Sequence, residues 1–211
     1  MRKVTLFLLV GILLISFTAC RHRDKKVGEI NSLSDLKDLA ENFTEQAKKS
    51  QDKAAERRKK GDTIAIAYKD LETYLPEISG YASEHGPKGS QMNTPGLGSW
   101  SQAEQQYSSG DKRVDVSIMD YNAAHQAFLG LTSMLALGIS AEDDDKRQGS
   151  VDLGIKDVKA YETIYKKDKR SELALIVADR FVINLKSDGE NDENFLRSVA
   201  KNMKLEELAS K

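Results

Sequence analysis

The chain has 211 residues with 32 basic against 33 acidic side chains and a formal charge of −1, a balance without global attraction for nucleic acid. With 39% hydrophobic and 31% charged residues it is too apolar to be wholly disordered, long enough for one domain with a true core, and short for two. The single cysteine, Cys20, excludes an intramolecular disulfide, a cysteine-based metal site and a cysteine nucleophile in the body.

Arg2 and Lys3 form a short positive region, and Leu6 to Ile15 is an apolar run broken only by Gly11. That is the length of a signal-peptide core and too short for a comfortable membrane span. Phe17-Thr18-Ala19-Cys20 resembles the lipobox of bacterial lipoproteins, with Phe17 where Leu is usual. The resemblance implies that residues 1–19 are removed as a signal peptide, that the Cys20 thiol takes a diacylglycerol, and that the new amino group is acylated. One acyl chain holds a protein only marginally, each buried methylene contributing roughly 0.8 kcal/mol, so several chains are needed for lasting attachment. Arg21 stands where some envelope systems place a retention Asp, which favours the outer over the inner membrane. Loss of the leader leaves 192 residues with 30 basic against 33 acidic side chains, a net charge of −3.

After the anchor, residues 21 to about 32 read as a polar tether. From Ser32 or Ser34, both good N-caps, Leu33, Leu36, Leu39, Ala40, Phe43 and Ala47 recur on one helical face. The continuation from Lys48 to Lys60 keeps only Ala54 and Ala55 among charges and stops at Gly61. The basic run Arg57-Arg58-Lys59-Lys60 reads as a solvated helix end. Residues 20–61 thus form anchor, tether and helical spacer, and residues 62–211 one α+β domain.

Within that domain Ile64, Ile66 and Tyr68 alternate, and Leu71, Tyr74 and Leu75 predict a helical turn before Pro76. Residues 82–99, rich in Gly, Ser and Pro, read as an open loop. Trp100, Ala103, Gln105 and Tyr107 fall on a strand, and after the turn Ser108 to Asp111 a second strand carries Val114, Val116 and Ile118 inward. Ala123 to Leu137 reads as a helix, and Ser140 to Ser150 as an acidic loop. Four strand-like runs follow, Val151–Leu153, Val158–Tyr165, Leu173–Ala178 and Phe181–Leu185, then a helix from about Asp192 that buries Phe195, Leu196, Val199, Met203 and Leu208. This order predicts an antiparallel sheet flanked by helices.

Tyr81, the strand pair from Trp100 to Asp120, the helix opening after Asp120-Tyr121-Asn122, Tyr161-Glu162 and the run Glu172 to Leu185 together resemble a group of uncharacterised bacterial lipoproteins. In element order the chain is similar to the Mog1/PsbP-like α/β/α sandwich over about residues 62–208. The resemblance implies a protein-binding or accessory role and carries over no functional residue.

Chemistry-bearing motifs are sparse. His85 lies in a Gly- and Pro-rich stretch and His125 early in a helix, neither beside a nucleophile-elbow pattern. Gly86, Gly89, Gly96 and Gly98 match no phosphate-binding fingerprint. Glu142-Asp143-Asp144-Asp145 lacks the offsets of a calcium loop. Tyr161, Tyr165 and Phe181 read as packing residues on strands.

The expectation is therefore a non-enzymatic envelope lipoprotein without cofactor or metal, bound to the membrane through acylated Cys20. Its partner is another envelope protein or a second copy, not nucleic acid, with Leu36, Leu39 and Phe43 as the partner-binding stripe. The competing expectation is a metal- or small-ligand-binding domain at the membrane surface.

Overall fold

A computed structural model describes residues 33–94, 98–122 and 140–211. Cys20, the leader, the tether and the helix expected over 123–137 with His125 lie outside these residues, as do the side chains of Leu36 and Leu39.

Helix α1 runs Leu33–Lys59, supported on its wet side by the i,i+4 pairs Lys37–Glu41 and Lys49–Glu45. It ends as a Schellman motif. Gly61 N–H donates to Arg58 O and Asp62 N–H to Arg57 O, both at 3.0 Å, with Gly61 at φ +85°. Of the expected stripe, Ala40 is exposed and Phe43 and Ala47 are half-buried, and the same helical face continues into the buried Ser50 and Ala54, each seven residues further on. In the basic run at the end of the helix Arg58, Lys59 and Lys60 are exposed as expected, while Arg57 is half-buried and its Nε donates to Asn122 Oδ1 at 3.2 Å.

Residues 63–67 form no strand despite their alternation, and Ile64 is exposed. A short helix α2, Tyr68–Leu71, runs into a 3-10 turn at Glu72–Tyr74, as expected. The stretch 82–99 is no open loop, since it holds β1, Ala82–Ser83, and β2, Lys88–Thr94. Gly89 makes β2 attainable: a Cβ there would overlap the Tyr68 ring and lie 2.9 Å from the Gln102 carbonyl oxygen.

Strands β3, Gly98–Ser109, and β4, Lys112–Asp120, form the expected hairpin, closed at Gly110, φ +60°. The acidic stretch after Ser140 is also a hairpin, β5 at Ala141–Glu142 and β6 at Lys146–Val151. Of the run Val151–Leu153 only Val151 is in a strand, while Leu153 is buried beyond it. Strands β7, Val158–Tyr165, β8, Arg170–Val177, and β9, Phe181–Asp188, follow. The C-terminal helix is two, α3 at Phe195–Lys201 and α4 at Leu205–Ala209.

All nine strands join one antiparallel sheet in the order β1-β3-β4-β9-β8-β7-β6-β5, with β2 on β3 beside β1. One face carries Ala103, Val116, Ile118, Leu173, Leu175, Ile183 and Leu185 into a single core with Leu71 and Tyr74 and with Leu196, Leu205 and Leu208 of α3 and α4. On that face Glu162 is buried and accepts Arg197 Nε at 2.9 Å, which pins α3 to β7. The opposite face is mostly polar, apart from a small cluster of Ile176 and Val182 with Met119 and Tyr121. The molecule is therefore α+β, dominated by its sheet.

Candidate functional site

The β8–β9 connection sets the site. Val177 and Phe181 pair across it, leaving Ala178, Asp179 and Arg180 to turn the chain. Ala178 and Asp179 have φ +54° and +53°, and Arg180 N–H donates to Val177 O at 3.1 Å. Positive φ at both central positions matches the twist of a hairpin and normally calls for Asn or Gly, so an alanine here holds strain.

Arg180 and Asp179 leave this turn for different partners. The Arg180 guanidinium, 3% exposed, grips the wholly buried Asp120 with Nε at 2.9 Å and Nη2 at 2.8 Å. Its Nη1 donates to Asp62 Oδ2 at 3.0 Å and to the Lys211 carbonyl at 2.9 Å. Asp120 also accepts Ile66 N–H and Asn122 N–H, each at 2.8 Å. Four donors on one carboxylate make this a satisfied ion pair that ties the α1–α2 link, the end of β4 and the C-terminal residues to one turn. Asn122 extends it to α1, with its amide nitrogen on the Asp62 side chain and its oxygen on Arg57.

Asp179 instead enters a groove of about 710 Å³ between α1 and the β6–β7 side of the sheet, bordered by Gln46, Lys49, Lys53, Lys159 and Tyr161. Lys53 donates to Asp179 Oδ2 at 2.8 Å from the helix, and Lys159 to Oδ1 at 3.3 Å from β7. Lys159 also reaches Gln46 Oε1 at 3.4 Å. Burial pushes the Asp179 carboxyl up, but the Lys53 hydrogen bond and the Lys159 and Lys53 charges outweigh it and hold it below its ordinary value. Burial raises the Tyr161 phenol. Two ammonium groups thus share one ionised carboxylate and keep further N–H donors for the groove. The arrangement suits holding an anionic or amide group rather than passing a proton.

A smaller cavity of about 370 Å³ lies on the polar face of β3, β4 and β9, beside His85 and Gln105. Its side chains pair largely with one another: Gln106 Nε2 donates to Asp115 at 2.7 Å, and Gln105 Nε2 to Ser83 Oγ and to the His85 carbonyl at 2.6 Å each.

The comparisons with known proteins come back empty. No family model, curated protein or solved structure matches this chain. Among the described residues no helix is long and apolar enough to cross a membrane.

Of the residues singled out in the sequence, Phe43 sits half-buried on α1 ahead of the groove-lining Gln46, and Tyr161 lines the groove. Phe181 is core, and Tyr165 lies under the Arg170 guanidinium, 4.0 Å from ring centroid to Cζ. The acidic run is consumed by its own hairpin. Asp143 Oδ1 accepts the Asp145 and Lys146 N–H groups at 2.9 and 2.7 Å, which holds its carboxyl low. Lys166 pairs with Glu142 at 3.0 Å, and Lys167 pairs with Asp145. Lys53, Lys159 and Asp179 were not legible as a set, because 106 positions separate Lys53 from Lys159 and only the fold joins them.

Proposed function

We propose that this chain is a lipid-anchored envelope protein, held by acylated Cys20 on the outer rather than the inner membrane, whose α+β domain is a non-catalytic binding or accessory module. In finer detail the fold reading is the Mog1/PsbP-like sandwich suggested by element order. The binding surface is the groove under α1. The observation that carries this reading is that α1, the element nearest the anchor, is bonded across the groove to the domain through Lys53–Asp179 and Arg57–Asn122. Only the thirteen steps from Cys20 to Leu33 separate the lipid from the helix, a reach of at most about 45 Å. The groove residues Gln46 to Lys53 lie roughly 20–30 Å further along the helix, so the groove stays within about 75 Å of the anchor. Its charged groups satisfy one another, which supports a holding role over a catalytic one.

Two measurements on native membranes test the reading. Mass spectrometry should find the mature chain beginning at an acylated Cys20, and Cys20→Ala should move the protein out of the membrane fraction. Crosslinking followed by purification should return a partner that is lost in the Lys53→Ala, Lys159→Ala double variant while the fold persists. An unmodified Cys20 sinks the anchor; a partner retained by the double variant but lost in Phe43→Asp moves the surface to the helix stripe.

A further inference from the structure

The two edges of the sheet are unequal. The β5 edge is two residues long and runs into Asp143 to Asp145, with lysines 166 and 167 beside it. Short length and charge are the usual protections against pairing with another chain. The β2 edge is longer and carries a single charge, Lys88 at its start. It runs seven residues, Lys88–Thr94, pairs with β3 on one side, and has no strand on the other among the described residues. From Gly89 to Thr94 it contains no charge and no proline. Residues 88–93 are all exposed, Met92 to 52%.

We propose that β2 is a self-association edge, pairing antiparallel with β2 of a second copy about a two-fold axis near Gln91. The uncharged stretch from Gly89 to Thr94 meets itself without like-charge repulsion, which admits a second copy. With Gln91 opposite its counterpart, Ser90 faces Met92 of the second copy, and Gly89 faces Asn93. Lys88, the strand's one charged residue, faces Thr94. The two Lys88 side chains then lie at opposite ends, each beside Glu104 of its own β3, so no like charges meet. The Gln91 amides, each both donor and acceptor, can bond across the axis. The side chains of Ser90 and Met92 lie on the face shared with their β3 partners Gln102 and Trp100. Pairing there makes one continuous sheet through both molecules without disturbing the groove under α1.

Sedimentation of the full chain in non-ionic detergent tests this. The wild type should show a concentration-dependent monomer–dimer equilibrium. Ser90→Lys with Met92→Lys sets two like-charge pairs against each other across the axis and should weaken the dimer at least about tenfold; Ser90→Glu with Met92→Glu should do the same. Mixing the two variants should restore a mixed dimer, which also shows that each still folds. A wild type that stays monomeric overturns the proposal. So does a dimer unaffected by either variant, or a mixture that fails to associate.

Discussion

Arg180 and Ala178, two residues apart, carry opposite thermodynamic signs. Arg180 is a buried cation whose penalty is offset only because Asp120, Asp62 and a main-chain carbonyl surround it. Asp120→Asn leaves the guanidinium with half its counter-charge and places an amide donor against it. Urea unfolding should show a loss of roughly 3–5 kcal/mol, the range for breaking one side of a buried pair. Ala178 has φ +54°, where a Cβ is unfavourable. Ala178→Gly relieves that strain and should raise stability by up to about 1 kcal/mol, seen as a higher urea midpoint with an unchanged slope.

At the scale of elements, α1 is fixed to the domain mainly by polar contacts, and one of them titrates. Asp179 is held below its ordinary value in the folded protein. Its contribution is therefore complete above the ordinary carboxyl range and is lost as pH falls through the lower folded value. With Lys53 about half exposed, the contribution is about 1 kcal/mol or less. Acidification should lower amide protection in α1, corrected for the slower intrinsic exchange in acid, before it does so in β8 and β9, and Asp179→Asn should give the same low protection already at neutral pH. Equal exchange in α1 for both proteins would show that the ion pairs do not hold the helix.

The same elements show what the sequence could and could not disclose. Alternation located β3, β4, β7, β8 and β9 because each has one core face. It missed β2 and β6, whose described residues are exposed or half-buried and leave no apolar period. It overread Ile64 to Tyr68, where side chains hold the backbone in place of a ladder: Ala65 N–H donates to Ser99 Oγ, Ile66 N–H to Asp120, and Ile64 O accepts from Asn122. On α1 the apolar period gave the helix, while its continuation along the same face through Ser50 and Ala54 was hidden because those side chains are small or polar. The groove escaped notice because its lysines belong to different elements and its aspartate to a turn.

At the scale of the molecule the sheet is two antiparallel meanders, β2 to β4 with β1 also on β3, and β5 to β9, joined where β4 pairs with β9. Both share one core, so they should melt together. Trp100, the chain's single tryptophan, lies on β3 and reports the first meander. Leu173→Ala, in the second, should cost about 2–5 kcal/mol and shift the Trp100 fluorescence and far-ultraviolet dichroism transitions by the same amount. Separate transitions would mean that the two halves fold independently.

The β4–β9 junction also sets a schedule. Its eight residue pairs run from Arg113↔Asp188 to Asp120↔Phe181, so β4 has no neighbour on that side until nearly the whole chain has been made. A nascent chain ending before β9 has its two groups of strands unjoined and lacks the C-terminal helices that complete the core. On the lipoprotein reading, that delay keeps the polypeptide loose enough to be threaded through a membrane channel. On that reading folding would complete on the far side, once the last strand has followed the first.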